Sequence, residues 1–154
     1  MSRWMPTIIG LLVAISGGLW LAQRKAVIAA DVKPAVKPHF IINLTSGYAD
    51  RHRSTMALQL AKHAVDDGRN VVIFLNVRGP ELAEKDSPEP GFRTNPPPNK
   101  MLADLMTRGV QVHACPACME ALSITKEAML PGVILTDREK LFATLEAGAT
   151  VFSY

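Results

Sequence analysis

The chain is predicted to fold as an α/β domain, with a mostly parallel sheet of five strands and helices on both faces. Three observations lead there. Short runs rich in β-branched residues alternate with segments of helical periodicity. The connections between them are mostly short. The run Asn70–Leu75 is apolar almost without interruption, as a strand covered on both faces must be. Right-handed crossovers then leave few topologies to choose from.

The elements follow in order. His39–Leu44 is a short apolar strand. Ser54–Asp67 has helical spacing, with Ala57, Leu60, Ala61 and Ala64 on one face and Gly68 as its stop. Asn70–Leu75 is the second strand. Met101–Thr107 is a helix with Leu102, Leu105 and Met106 inward, ended by Gly109. Val110–Ala114 is the third strand, and Pro116–Leu122 the helix after it. Val133–Leu135 is a brief fourth strand. Thr136 and Glu139 have capping-box spacing, which starts a last helix reaching about Glu146 with Leu141, Phe142 and Leu145 buried. Thr150–Ser153 closes the sheet. One connection, residues 78–100, is long and rich in proline, with Pro80, Pro90, Pro96, Pro97 and Pro98 among its residues. It is expected to be a solvated, mobile loop, or else a lid or partner-docking segment near the thiol edge, since it starts just after the second strand.

Residues 1–30 stand apart from this domain. Arg3 precedes an uncharged run, Trp4–Gln23, close to the roughly 20 residues that span a bilayer. Ala29 and Ala30 offer a small-residue cleavage site, while Arg24 and Lys25 lie between it and the apolar run. The segment is a secretory signal or a retained membrane anchor, and the domain is expected to be periplasmic or otherwise extracytoplasmic. Residues 31–38, with Pro34 and Pro38, form a stiff spacer, leaving 39–154 as the folded domain. Arg3, Arg24 and Lys25 account for the whole net charge of +3. From Asp31 onward 14 Lys and Arg balance 14 Asp and Glu, so this part is formally neutral, and it has no basic cluster with interleaved aromatics. Nucleic-acid binding is therefore excluded as an expectation, and membrane contact is expected only through the N-terminal segment.

Cys115 and Cys118 are the chain's only cysteines, in one Cys-Pro-Ala-Cys run. The run lies where the third strand passes into a helix, beyond the carboxyl edge of the sheet, where ligand chemistry collects in such folds. A thiol at a helix start faces unpaired N–H groups and the positive end of the dipole, and both favour the thiolate. Cys118, one turn on, is placed to resolve an adduct formed on Cys115. The same two thiolates suit a soft metal, copper or zinc, with His113 as third ligand and Met119 as an added thioether for copper. His113, two residues before Cys115, would as a cation lower the thiol pKa, or be a plain strand residue. Thr45, Ser46 and Gly47 follow the first strand on the same edge. They would present hydroxyls and N–H groups to an anionic adduct, or simply form the strand-to-helix turn. Asp50 is read as a helix cap, Glu120 as a solvated carboxylate, and His52 and His63 as loop and helix-surface residues.

Three stretches resemble the DsrE/DsrF-like family, small α/β proteins of sulfur-relay systems. They are Leu44–Gly47 with the helix Ala57–Ala61, Val72–Asn76, and Gly109–Cys115 with Ala121–Ile124 and Leu130–Val133. The resemblance implies a three-layer α/β/α sandwich around a five-stranded sheet, usually oligomeric. It places the family's sulfur-carrying cysteine at Cys115. Two features depart from the family pattern: the N-terminal segment and the second cysteine, Cys118. The reading is then an exported or tethered DsrE-like protein with thiol–disulfide or persulfide chemistry at Cys115 and Cys118. It needs no cofactor, associates with copies of itself, and exchanges with a thiol- or sulfur-carrying partner protein. The alternative is a non-catalytic copper or zinc binder.

Overall fold

The computed structural model describes residues 38–87, 90–145 and 148–154. The chain separates after Val36. The signal or anchor (1–30), the proline spacer up to residue 37, and Glu146, the expected end of the last helix, lie outside the described residues. Among the described residues no helix is long and apolar enough to cross a membrane.

Five strands, β1 (His39–Leu44), β2 (Asn70–Leu75), β3 (Gln111–Ala114), β4 (Ile134–Leu135) and β5 (Ala149–Ser153), form one sheet in the order β4-β3-β2-β1-β5. Every pairing is parallel. Four helices, α1 (Arg51–Asp66), α2 (Pro98–Thr107), α3 (Pro116–Ala121) and α4 (Arg138–Ala143), connect them. The expected α/β class and five strands are those observed.

The topology explains the layers. From β1 to β2 to β3 the chain steps the same way across the sheet, so right-handed crossovers put α1 and α2 on one face, where they pack together. Alternation along the strands turns Ile42, Leu44, Ile73, Leu75, Val112 and Ala114 toward them, all at most 1% exposed. Ala57, Leu58, Ala61 and Ala64 of α1 are buried against this face together with Leu102 and Leu105 of α2. The small alanines let α1 lie close to the sheet. Leu58 joins Ala57, Ala61 and Ala64 at i, i+1, i+4 and i+7 spacing, one face of a helix, while Leu60 of the expected stripe is only half-buried. Each fully buried leucine contributes about 1.5–3 kcal/mol. The opposite face is also covered, since Ile41, Val72 and His113 are buried. The step from β4 to β5 runs back across the sheet and carries α4 to that side.

Helix ends follow the capping rules. Asp50 accepts a hydrogen bond from the Arg53 N–H (3.0 Å) and starts α1 three residues earlier than the periodicity alone suggested. Pro98 opens α2, likewise three residues early, because proline is favoured at the first helical position. At α4 the expected capping box is replaced. Asp137, not Thr136, is the cap and accepts from the Lys140 N–H (2.8 Å).

Two expectations fail for physical reasons. Residues 78–100 are not a uniformly solvated loop. Gly79–Ala83 form a 3-10 turn that is buried throughout. Its exit is tied to residues 128–130 by the hydrogen bonds Lys85 N–H to Ala128 O (2.9 Å) and Leu130 N–H to Ala83 O (2.8 Å). Farther on, Phe92 stacks on His52 of α1 at 4.9 Å. Leu82 and Ala83 supply the apolar surface that holds the turn down, so the prolines here shape a packed connection. Phe142 and Leu145, expected in the core, are 55% and 38% exposed. The helix α4 has only six residues and ends at Ala143, so the longer apolar face expected there is not formed.

Candidate functional site

The β2–β3 ladder runs one residue past β3, because the Cys115 N–H donates to the Leu75 carbonyl (2.9 Å). The backbone then turns at Cys115 into α3, whose N-cap it is. Both cysteines are free and half-buried. The helix is short, and Pro116 at its first position has no N–H. The dipole contribution expected from the sequence therefore rests on few peptide units.

The two sulfurs lie near one another, and Cys115 acts on the Cys118 thiol. Burial pushes the Cys118 thiol above its ordinary value, and Cys115, through its side chain and its charge as a thiolate, pushes the same way. One group opposes them. The backbone N–H of Val77 donates to Cys118 Sγ at 3.1 Å. Val77 has φ 54°, a left-handed conformation that costs a β-branched residue roughly 1–2 kcal/mol. No sequence signal marked Val77, since glycine or asparagine would be the usual residue there.

The Thr45–Gly47 turn is at the expected edge, but three of its donors are engaged. The N–H groups of Thr45 (2.7 Å) and Ser46 (3.3 Å) both donate to the Tyr154 carbonyl, as does the Thr45 hydroxyl. Gly47 faces the buried Glu81 carboxylate, which accepts from the Tyr48 N–H (3.2 Å) and pairs with Arg78. A Cβ at position 47 would lie 2.1 Å from Glu81 Oε2. The turn is thus the clamp between the ends of β1, β2 and β5. Ser54, inside α1, adds its hydroxyl to the Gly47 carbonyl (3.1 Å).

Strand alternation puts His113 on the sheet face opposite α1 and α2. Its Nδ1 meets the Thr136 hydroxyl and its Nε2 the Gln111 carbonyl oxygen at 3.3 Å. An acceptor opposite Nε2 assigns the proton to that nitrogen and leaves Nδ1 to accept from Thr136. Burial, and then Lys140, lower the His113 pKa, so the ring is neutral at pH 7. The cationic His113 considered from the sequence is therefore absent at that pH. The proposed metal trio of Cys115, Cys118 and His113 is not assembled either. Among the described residues, no three His, Cys, Asp or Glu side chains are grouped to hold a metal ion. Met119 is buried in the core, and Glu120 is exposed. Val77, Thr136, Arg78 and Glu81 are the residues that sequence reasoning missed; Thr136 was singled out, but as a cap.

What the arrangement offers is a pair of adjacent thiols at the carboxyl edge of a parallel sheet, with one thiol held protonated and touched by a backbone donor. Comparison with known proteins identifies the family and the fold. Residues 38–154 match the model of the DsrE/DsrF-like family. The YchN protein of E. coli shares the fold, with a TM-score of 0.63 at 18% identity over 77% of this chain and 100% of that one. A protein of unknown function from Methanobacterium thermoautotrophicum, MTH1491, does so with a TM-score of 0.62 at 13% identity over the same shares. No curated protein matches by sequence. With its sheet, its family match and its cysteine pair in view, the chain belongs to the DsrE/DsrF-like family and is, at family level, a sulfur-relay type protein.

Proposed function

We propose that this protein carries thiol–disulfide or persulfide chemistry on Cys115 and Cys118, with Cys115 as nucleophile and Cys118 as resolving thiol. The observation that carries the reading is the adjacent pair of free thiols itself. Burial and Cys115 both hold the proton on Cys118, which gives the two sulfurs unequal roles. Cys115 attacks a disulfide or sulfane sulfur on a partner and takes up the adduct. Cys118 later displaces the partner's sulfur and closes the internal disulfide. The partner is a thiol- or sulfur-carrying protein, for which the half-buried pair leaves access.

Limiting alkylation near pH 7, read by peptide mass, tests the assignment. Modification of Cys115 ahead of Cys118 is expected. Equal and slow labelling of both would contradict it.

The uncharged run Trp4–Gln23 and the proline spacer that sets it apart from the domain support export or tethering to a membrane, in an extracytoplasmic compartment. Fractionation of the native host, with the intact mass of the product, tests this: material in the cytosolic fraction at full mass would contradict it. Self-association is supported by the uncovered apolar side chains Phe142, Leu145, Val151 and Phe152, and by β5, a sheet edge without a charged residue.

A further inference from the structure

We propose that the backbone N–H of Val77 is the anion-stabilising donor of the resolving thiol, and that Val77 is a positioning residue for the step in which Cys118 acts. This deepens the reading given above and rests on it.

The geometry of three consecutive amides carries the inference. The Asn76 N–H donates to the Leu44 carbonyl and the Arg78 N–H to the Thr45 carbonyl, each at 3.1 Å. Both bind the end of β1. The amide between them turns the other way, to Cys118 Sγ at 3.1 Å. A left-handed φ at Val77 sits within this reversal, at a residue that is 59% exposed and so gains little from packing. The flanks fix the conformation. The Gly79 N–H donates to the Asn76 carbonyl (2.8 Å), Asn76 Nδ2 donates to Asn43, and Arg78 is paired to the buried Glu81. A strained residue maintained by its surroundings and aimed at a reactive sulfur is a preorganised donor.

The step it serves is balanced as follows. With Cys115 carrying an adduct, Cys115–S–S–R, the Cys118 thiol loses its proton to solvent. Its thiolate attacks Cys115 Sγ, the Cys115–Cys118 bond forms, and the bond to the adduct sulfur breaks. R–S⁻ leaves with the electron pair, so the two cysteines are oxidised and the adduct sulfur is reduced. The partner's disulfide or persulfide is the oxidant. Before attack, negative charge resides on Cys118 Sγ, and the Val77 N–H is already there to receive it. In the product disulfide that sulfur is a weak acceptor, so the hydrogen bond is released as the bridge closes.

The test replaces the Val77 amide by an ester, using the α-hydroxy analogue of valine in the full chain, and titrates Cys118 by alkylation in the Cys115→Ser background. The ester is expected to reduce the thiolate fraction at pH 7 about tenfold, equivalent to roughly 1.4 kcal/mol. It should slow resolution of a mixed disulfide on Cys115 by a similar factor while leaving adduct formation unchanged. An unaltered Cys118 titration overturns the proposal. If the ester chain does not fold, hydrogen exchange at the Val77 amide decides. Exchange should be at least tenfold faster in Cys118→Ala than in the unsubstituted chain and unchanged in Cys115→Ser. Equal protection in Cys118→Ala and the unsubstituted chain overturns the proposal. Failure of Cys115 to take up any adduct contradicts the proposed function instead, while the Cys118 titration and the exchange comparison still report on Val77.

Discussion

Replacing Gly47 by alanine should destabilise the domain by about 2–4 kcal/mol, although the backbone there suits any residue. Gly47 has φ −106° and ψ −153°, an extended conformation open to alanine. In open space the substitution would stabilise by about 0.4–1 kcal/mol, by restricting the unfolded chain. Here the new Cβ would lie 2.1 Å from Glu81 Oε2 and 2.9 Å from both the Cβ and the carbonyl oxygen of Arg78. That carbonyl cannot retreat freely, because it accepts from the Glu81 N–H at 3.2 Å. The Glu81 carboxylate must leave its buried place between Arg78 and the Tyr48 N–H. Overpacking of this kind costs about 1–3 kcal/mol, and a hydrogen bond to a charged group adds about 1.5–3 kcal/mol. Together these exceed the chain-entropy gain. Urea unfolding of the two proteins measures the difference, and alkylation of Cys118 reports whether displacement at Arg78 reaches its neighbour Val77. A Gly47→Ala variant as stable as the parent would refute the steric reasoning and the role given to the clamp.

Three further outcomes are expected. Val77→Gly keeps the N–H and removes the left-handed cost of roughly 1–2 kcal/mol, against a glycine entropy cost of about 0.5–1 kcal/mol. The variant should be about as stable or slightly more so by urea unfolding, with an unchanged Cys118 titration; clear destabilisation would mean that the side chain matters. The depressed pKa of His113 means that the unfolded chain binds the extra proton first as pH falls through the ordinary value of 6.5. Stability is therefore fully present above that value and declines below it until the folded ring also protonates. His113→Gln should flatten this part of the stability–pH curve, and equal slopes would contradict the assignment. Val151→Lys, at a 54% exposed edge position, should weaken self-association in sedimentation measurements without unfolding the domain. An unsubstituted chain that remains monomeric at high concentration would remove the basis for that expectation.

The central strands β1 and β2 were legible because they are short, apolar and buried on two faces, which leaves a dense signature such as Asn70–Leu75. The position of the thiols was legible for a related reason, since strand–helix alternation orders the carboxyl edge before any contact is known. Helix starts were less so. Asp50 was identified as a cap, yet α1 was begun at Ser54, because Arg51–Arg53 are exposed and add nothing to the apolar stripe. The last helix misled because its apolar spacing is real, while burial depends on what lies opposite, and α4 ends after only six residues. Residues 79–83 were hidden by composition: prolines suggested solvent, but Leu82 and Ala83 anchor the turn in the core. Around the site, sequence adjacency overstated the part of His113, which alternation and Thr136 tie to the sheet. It could not reveal Val77, whose contribution is a backbone N–H brought 41 residues along the chain to Cys118.

The most direct measurement is the intact mass of the full chain after exposure to a low-molecular-weight persulfide, compared with Cys115→Ser and Cys118→Ser. Persulfide chemistry at this pair predicts that the Cys118→Ser protein holds one added sulfur on Cys115. The unsubstituted chain should release that sulfur and end as the internal disulfide, and the Cys115→Ser protein should stay unmodified. Equal sulfur uptake by the two single variants, or none by any of the three proteins, would contradict it.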